Sequence, residues 1–235
     1  MCGRVKLEGD FSQLKTTFHI PDDYPAPNYA PSWNVAPTDS LPIVRYNAKD
    51  GHRALDLMRW GLVPYWAKDI KVSFANINAM AETVDTKPAF KAAFAKRRCL
   101  VPIEAFYEWK KLGPKEKQPY AFGLAGGGFM ALAGLWENWK SPTGEWVRSF
   151  TIVTCPPNEL CGQIHNRMPV ILPPKEWPLW LAEDAAEPED LKAILRPYPV
   201  DDMKLWPVST RVGNVKNNDP SVIEPIELAV AQRPS

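Results

Sequence analysis

The second residue of the chain is a cysteine, and this position gives it chemistry that an internal cysteine lacks. The sequence begins Met1-Cys2-Gly3. Initiator methionine is generally removed before a small residue, so we expect Cys2 to carry a free α-amine (pKa ~7.7–8.0) beside its thiol (~8.5). With an aldehyde, such a 1,2-aminothiol forms an imine that the thiol closes to a five-membered thiazolidine. The alternative is a frayed chain end, but Gly3 allows the terminus to turn tightly into a pocket.

Two further residues have the chemistry to move protons near such a cysteine. Glu108 lies between Tyr107 and Trp109 in a segment of alternating large residues, where loss of solvent favours the neutral acid over the carboxylate. The alternative is an outward-facing strand glutamate near Lys110. His165 precedes a short polar turn and an apolar strand, and histidine is the side chain best matched to proton transfer near neutral pH. Its alternative is a structural histidine.

Seven blocks of sequence stand out, in order, along nearly the whole chain. The blocks are Cys2-Gly3-Arg4, Trp33-Asn34-Val35-Ala36-Pro37, Trp60-Gly61-Leu62-Val63-Pro64, Asn76-Ile77-Asn78-Ala79 with Glu82-Thr83, Phe106-Tyr107-Glu108-Trp109-Lys110, Ile164-His165-Asn166-Arg167-Met168-Pro169, and Val208-Ser209 with Val212-Gly213-Asn214-Val215-Lys216-Asn217. With these blocks the chain resembles the SRAP family (SOS-response-associated peptidases that process abasic sites). One tripeptide would be weak evidence, whereas seven ordered blocks are strong. Class II glutamine amidotransferases also begin Met-Cys-Gly, but the chain has no recognisable glutamine-binding pattern.

The resemblance implies a sensor of abasic sites in single-stranded DNA. In the family, the terminal cysteine captures the ring-opened sugar aldehyde as a covalent thiazolidine crosslink, which shields the lesion from strand cleavage and error-prone bypass. The implied catalytic residues are Cys2, Asn78, Glu108 and His165. Asn78 would contact the cysteine and the sugar, Glu108 would assist imine formation and ring opening, and His165 would protonate the sugar oxygen and take part in reversal. From the residues alone, Asn78 could equally cap a turn.

Aromatic and basic residues are the predicted contacts to DNA, because aromatic rings stack on unpaired bases and basic side chains follow the phosphates. The polar segment 214–217 could equally be a solvated turn. Met80 stands where the family has an arginine that contacts phosphate, so we expect weaker DNA affinity, or compensation by Lys68, Lys71 or Arg98. The predicted DNA-binding residues are Arg4, Trp33, Asn34, Trp66, Arg167, Arg211 and Lys216.

Composition and charge limit the class of protein. With 28 Lys+Arg against 27 Asp+Glu, the net charge of +1 excludes a protein that coats nucleic acid by bulk charge, but it allows a local basic groove. The four cysteines and three histidines show no metal-ligand spacing, so we expect no zinc site, no disulfide framework and no cofactor. The first residues lack the apolar core of a signal peptide, and the longest uncharged stretch is rich in glycine, so we expect neither a signal segment nor a membrane span. We therefore expect a cytoplasmic monomer, nucleoid-associated in a bacterium or nuclear in a eukaryote. Cys99, Cys155 and Cys161 are expected to be buried or incidental.

Short strands are the elements that must position these residues. The 25 prolines disfavour long helices and favour strands joined by rigid turns. No linker separates domains, so we predict a single α+β domain over residues 1–235, with a peripheral tail from about 225. The family implies a β-rich, barrel-like core with short flanking helices. Strands are predicted over residues 41–46, 55–60, 99–103, 105–109, 120–124, 129–136, 147–154 and 205–209, and helices over 87–97, 174–181 and 188–195.

Two other functions stay open at this stage. The first is an amidotransferase-like hydrolase with an N-terminal nucleophile that releases ammonia from glutamine. The second is a non-covalent reader of single-stranded or modified DNA, in which Cys2 does no chemistry. The family name includes peptidase activity, and self-removal of Met1 has been suggested for it. We expect no protease activity on other proteins, since no Cys-His-Asn order or oxyanion motif is evident, whereas the free amine permits a lyase-type imine side reaction.

Overall fold

Two β-sheets make up most of the structure. The computed structural model describes residues 2–228 of the chain. Within that range the strands β1 to β12 are, in chain order, Val5–Leu7, Ser32–Val35, Ser40–Asn47, His52–Trp60, Asn78–Met80, Arg98–Ile103, Ala105–Lys111, Lys117–Leu124, Met130–Lys140, Trp146–Cys155, Met168–Pro169 and Met203–Pro207.

Five strands of the larger sheet close into a barrel. β10 pairs with β4, β4 with β3, β3 with β6 and β6 with β9, and β9 returns to β10. The β10–β4 pair is parallel, with Ser149 opposite Arg59, and the other four pairs are antiparallel. Closure satisfies the backbone groups that an open sheet edge would expose. The predicted barrel-like, β-rich core is confirmed.

β10 also carries two short strands beyond the barrel. β5 runs parallel to it, with Asn78 opposite Ile152. β11 runs antiparallel to it, with Met168 opposite Cys155. The segment that contains Asn78 and the segment that follows His165 are therefore fastened to the same end of one strand.

The second sheet has the order β12-β8-β7-β1-β2. β1 lies against β7 with Val5 opposite Phe106, and the Tyr107 N–H donates to the Arg4 carbonyl over 3.0 Å. This antiparallel register, continued by two residues, brings the start of the chain to Glu108. Phe106 stacks on Phe122 of β8, with ring centroids 4.8 Å apart, and anchors β7 to the core.

The strands predicted over residues 120–124 and 129–136 flank the glycine-rich turn 126–128. They are present as β8 and β9, but they do not pair with each other. β8 belongs to the second sheet and β9 to the barrel. Gly127 and Gly128 have φ values of 74° and 83°, a left-handed conformation that favours glycine. The turn therefore passes the chain from one sheet to the other.

The helices are short and lie outside the sheets. Sequence reasoning missed the first one, α1 (Phe11–Phe18), although Asp10 caps it by accepting from the Gln13 N–H, and Leu14 and Phe18 are buried on one face. The predicted helix over 87–97 is shorter than expected, because turns occupy residues 81–90. The other predicted helices are confirmed, 174–181 as a 3₁₀ turn that leads into a helix. The remaining α-helices of the described range, α2 to α5, are Lys91–Lys96, Glu159–Gly162, Trp177–Leu181 and Pro188–Ala193.

The end of the described chain is still attached to the second sheet. The Ile226 N–H donates to the Pro207 carbonyl over 3.0 Å, and Pro225 bridges to Val208. Residues 229–235 of the predicted tail, and Met1 with its expected removal, lie outside the described residues. Between residues 2 and 228, the structure has no helix long and apolar enough to cross a membrane.

Candidate active site

Cys2 is buried at the junction of the two sheets, with only 1% of its surface exposed. The Asn78 side-chain amide donates to its carbonyl oxygen over 2.8 Å. Burial raises the pKa of the Cys2 thiol well above its ordinary value, and the nearby charge of Glu108 raises it further. Near neutral pH this sulfur is therefore a protonated thiol, so it needs a base before it can act as a nucleophile.

Glu108 is a carboxylate inside the protein. It lies in β7 opposite Tyr120 and is 4% exposed. The alternative of an outward-facing strand glutamate is wrong, because the face of β7 that carries Phe106 and Glu108 is covered. Its charge acts on the thiols of both Cys2 and Cys161, which makes it an acid–base group within reach of the terminal cysteine.

Asn78 lies in β5 beside β10, and its side chain is buried. The amide nitrogen donates a hydrogen bond to the Cys2 carbonyl oxygen. Within residues 2–228, its Oδ1 has no hydrogen-bond partner. A buried amide oxygen without a donor costs free energy, on the order of 1–3 kcal/mol, so this atom can accept a hydrogen bond from a ligand at the site.

His165 lies three residues before β11 and is partly exposed. Its Nδ1 lies 3.1 Å from the Arg167 backbone nitrogen and 3.3 Å from the Arg167 carbonyl oxygen. The Arg167 guanidinium makes two hydrogen bonds to the Glu82 carboxylate, at 2.5 and 2.9 Å. It also donates to the Thr154 carbonyl over 2.6 Å. In this conformation Arg167 is held within the protein, and its predicted contact to DNA stays a prediction.

Cys161 is a member of this cluster that sequence reasoning did not place there. It lies in α3, is buried, and is close enough to Cys2 to contribute to the raised pKa of that thiol. Burial, with the neighbouring Cys155 and Glu108, raises its pKa to about 12. Its position four residues before His165 is the only signal in the sequence. The predicted burial of Cys99, Cys155 and Cys161 is confirmed.

The side chains of Arg4 and Asn34 form a hydrogen-bonded cluster next to the site. The Arg4 Nη1 donates to Asn34 Oδ1 over 2.7 Å and to the Val212 carbonyl over 2.6 Å. The buried Asn34 amide nitrogen reaches the carbonyls of Val212, Asn214 and Asn217 at 3.2, 3.1 and 2.7 Å. These contacts hold the loop 210–217 against β2, and a direct contact of either side chain to DNA stays a prediction.

The other predicted DNA-binding residues differ in their exposure. Trp66 is 54% exposed, as expected for a ring that stacks on bases. Trp33 is partly buried against a small cluster that also contains Trp109. Arg211 is paired with Asp219 at 3.0 Å, whereas Lys216 is exposed.

Arg98 does not act as a groove residue. Its side chain is buried and donates to the carbonyls of Trp180, Phe94 and Ala95. The expectation that it could compensate for Met80 is therefore wrong, because its guanidinium caps the ends of two helices. Met80 itself is 47% exposed.

Residues 2–228 contain no group of three or more His, Cys, Asp or Glu side chains arranged to hold a metal ion. The groups gathered around Cys2 are instead an amide, a carboxylate and a second thiol, and His165 follows that thiol, with its backbone N–H donating to the Cys161 carbonyl over 2.9 Å. Such a set can position a carbonyl compound and move protons onto and off it.

Comparison with known proteins places these features in a family. Residues 1–215 match SRAP, described as SOS response associated peptidase. The abasic site processing protein YoqW of Bacillus subtilis (strain 168) is 42% identical over 225 residues, which is 95% of this chain and 99% of the relative. The abasic site processing protein HMCES of Mus musculus is 32% identical over 243 residues, which is 88% of this chain and 68% of the relative.

Solved structures share the fold. A protein from Bacteroides thetaiotaomicron aligns with a TM-score of 0.86 at 22% identity, over 96% of this chain and 100% of its own. A protein from Bordetella bronchiseptica aligns with a TM-score of 0.73 at 26% identity, over 88% of this chain and 100% of its own.

Proposed function

The chain belongs to the SRAP family, and from this premise we propose that it processes abasic sites in DNA by covalent capture on Cys2. The substrate is the ring-opened deoxyribose aldehyde of an abasic site in single-stranded DNA or at a single-strand/double-strand junction. An unpaired strand presents this sugar without the cost of unstacking a duplex. The product is a thiazolidine crosslink that shields the lesion from strand cleavage and error-prone bypass.

The observation that carries the proposal is the buried Cys2 beside Glu108, with its backbone held by Asn78. A thiol whose pKa is raised is not the first nucleophile, whereas an α-amine of pKa ~7.7–8.0 is substantially unprotonated near neutrality. After Met1 is removed, the amine nitrogen adds to the aldehyde carbon, and loss of water gives an imine. The sulfur then adds to the imine carbon while its proton passes to Glu108, and the nitrogen takes up a proton.

Each neighbouring side chain has a role in this sequence. The unpartnered Asn78 Oδ1 accepts a hydrogen bond from the amine or from a sugar hydroxyl and fixes the reacting geometry. Glu108 takes the thiol proton and assists the loss of water from the carbinolamine. His165 donates a proton to the sugar ring oxygen as the ring opens, and the same group serves reversal of the crosslink.

Exposed aromatic rings after β4 support contact with an unpaired strand. Tyr65, Trp66 and Phe74 are all more than half exposed, and Lys68 and Lys71 lie between them in sequence. Stacking on aromatic side chains contributes ~1–3 kcal/mol per base and is tolerant of sequence. The lysines supply charge for the phosphates, in place of the arginine that Met80 replaces.

The test mixes purified protein with a fluorescent single-stranded oligonucleotide that contains one abasic site. Products are separated on a denaturing gel, and intact-mass analysis establishes whether Met1 is absent. We expect a heat-stable shifted band that Cys2→Ser abolishes and that an oligonucleotide without the lesion does not give. A Cys2→Ser protein that binds the abasic strand as the parent does, with no covalent band from either protein, would indicate a non-covalent reader. Absence of both binding and crosslinking in protein that lacks Met1 would reject the proposal, and ammonia release from glutamine would then be measured.

A further inference from the structure

The ion pair between Glu82 and Arg167 joins the two chain segments that carry Asn78 and His165. Glu82 lies two residues after β5, and Arg167 immediately precedes β11. We propose that Glu82 is a positioning residue which, through Arg167, sets the ring nitrogen of His165 that holds the proton. This inference rests on the proposed function for the part of His165 in catalysis, but the tautomer itself can be measured without DNA.

Two competing hydrogen bonds make the protonation site of His165 depend on the Arg167 backbone. The Arg167 N–H lies 3.1 Å from Nδ1, and the Arg167 carbonyl oxygen lies 3.3 Å from the same atom. If the N–H donates to Nδ1, the neutral ring must carry its proton on Nε2. If Nδ1–H donates to the carbonyl, the neutral ring carries its proton on Nδ1 and none on Nε2. A small rotation of the backbone at residue 167 therefore exchanges the two tautomers.

The side chain of Arg167 prevents that rotation. The Glu82 carboxylate binds its guanidinium through two parallel hydrogen bonds of 2.5 and 2.9 Å, a geometry that is stronger and more directional than a single contact. The Thr154 carbonyl accepts from the same guanidinium over 2.6 Å. In this pair the Arg167 side chain is 14% exposed and the Glu82 side chain 43% exposed, so the guanidinium is held inside the protein while the carboxylate faces solvent on one side. Thr154 belongs to β10, so these hydrogen bonds from Arg167 to Glu82 and Thr154, here called the clamp, are anchored to a strand of the barrel.

The clamp favours the tautomer that the proposed chemistry needs. With the N–H as the nearer partner of Nδ1, the proton of the neutral His165 ring stays on Nε2, which can donate it to a sugar oxygen. When the ring takes up a second proton at Nδ1, the Arg167 carbonyl oxygen is already in place to accept a hydrogen bond from Nδ1–H. The same residue therefore supports both protonation states, provided that Glu82 and Thr154 hold its backbone still.

The first test is the imidazole ¹⁵N spectrum of the protein without DNA. The chain has three histidines, so a His165→Gln variant assigns the signals of His165. We expect the neutral ring of the parent protein to carry its proton on Nε2, and Glu82→Gln to shift the population toward Nδ1–H or an exchanging mixture. Asp85→Asn is the matched control, because it removes a nearby ion pair, Asp85 to Lys192 at 2.8 Å, that does not touch Arg167. Its His165 spectrum should match that of the parent.

The second test separates rate from affinity. Crosslinking is followed as a function of DNA concentration, and we expect Glu82→Gln to lower the first-order rate at saturating DNA about 10-fold, part of the ~10²–10⁴ that acid–base groups contribute. The half-saturating DNA concentration should change less than about twofold on that reasoning. Glu82→Asp, which keeps the charge on a shorter arm, should recover part of the rate, and Asp85→Asn should not lose any.

Several results would overturn the inference. One is a parent protein with the proton on Nδ1, and another is a Glu82→Gln protein with the parent tautomer. A Glu82→Gln protein whose affinity falls while its saturating rate is unchanged would show that the pair serves phosphate binding instead. If no variant crosslinks DNA, the proposed function fails while the ¹⁵N spectrum still decides whether Glu82 sets the tautomer.

Discussion

Replacement of Asn34 by alanine should loosen the loop 210–217 from the second sheet. The buried Asn34 amide is the link between β2 and this loop, with its nitrogen near three carbonyl oxygens and its oxygen bound to Arg4. An alanine removes this donor from the carbonyls of Asn214 and Asn217, while the Val212 carbonyl keeps Arg4 as a partner. The expected result is a loss of stability, together with weaker DNA binding if Lys216 in the loop contacts phosphate.

The size of the effect follows from the hydrogen bonds. The amide nitrogen has two hydrogens, so it satisfies two of the three carbonyls at a time, for about 1 kcal/mol each. The bond from the charged Arg4 Nη1 contributes about 1.5–3 kcal/mol, but Arg4 keeps the Val212 carbonyl as a second partner, so only part of it is lost. The free energy of unfolding should therefore fall by about 3 kcal/mol, a large share of a typical 5–15 kcal/mol.

Equilibrium urea denaturation, followed by the fluorescence of the ten tryptophans, measures this loss. Asn28→Ala is the control, because Asn28 is exposed and a surface substitution usually changes stability by less than about 0.5 kcal/mol. A loss below about 1 kcal/mol for Asn34→Ala, with an unchanged denaturant slope, would refute the structural role assigned to the amide. Asn34 would then be free to act on DNA, as the sequence alone suggests.

Three other substitutions test the remaining features. Met80→Arg should tighten binding to single-stranded DNA and steepen the dependence of log K on log salt by about 0.7, the value for one more phosphate contact; an unchanged slope would show that position 80 does not face the strand. Trp66→Ala should cost ~1–3 kcal/mol of binding to undamaged single strands with little change in stability, because the ring is 54% exposed; equal binding in a filter assay would remove it from the interface. Arg167 lowers the pKa of Glu82 below its ordinary 4.5, so the stability from this pair is present above that value and is lost as pH falls through the folded-state pKa. Urea midpoints of parent and Glu82→Gln should differ at neutral pH and approach each other as the pH falls below 4.5, and a constant difference would contradict this assignment.

The strands followed from the sequence because their signal is local. Runs of apolar and β-branched residues between turn formers predict a strand at 147–154, and β10 covers Trp146–Cys155. Which strand each one pairs with does not follow from such local patterns. The parallel β10–β4 pair joins distant parts of the chain, and no local pattern marks it. Likewise, the glycine-rich turn indicated two strands but not that they belong to different sheets.

The site was partly predictable for a similar reason. The aromatic neighbours of Glu108 leave both a desolvated and an outward-facing carboxylate open, and the structure shows it buried. The role of Asn34 was not predictable, since only the fold brings residues 210–217 over it. For Arg98 the sequence predicts a surface charge, because the residue is basic and follows a predicted helix. Its guanidinium is instead buried against helix-terminal carbonyls. Local pattern predicts which side chains are buried more readily than it predicts which distant backbone will need them.

The pairing of β10 with β4 also affects the order in which the parts of the site come together during folding. The β3–β4 and β9–β10 hairpins join neighbouring segments, and such local contacts form early because little loop entropy is lost. The pairing of Arg59 with Ser149 joins residues far apart in sequence, so it is expected to form late, when the barrel closes. β11 follows β10 closely in the chain and can pair with it early, whereas β5 pairs with β10 across a long stretch of sequence and is expected to join it as late as β4 does. A growing chain therefore carries Cys2 from the start but brings Asn78 to it late, so the site around the terminus is complete only near the end of folding.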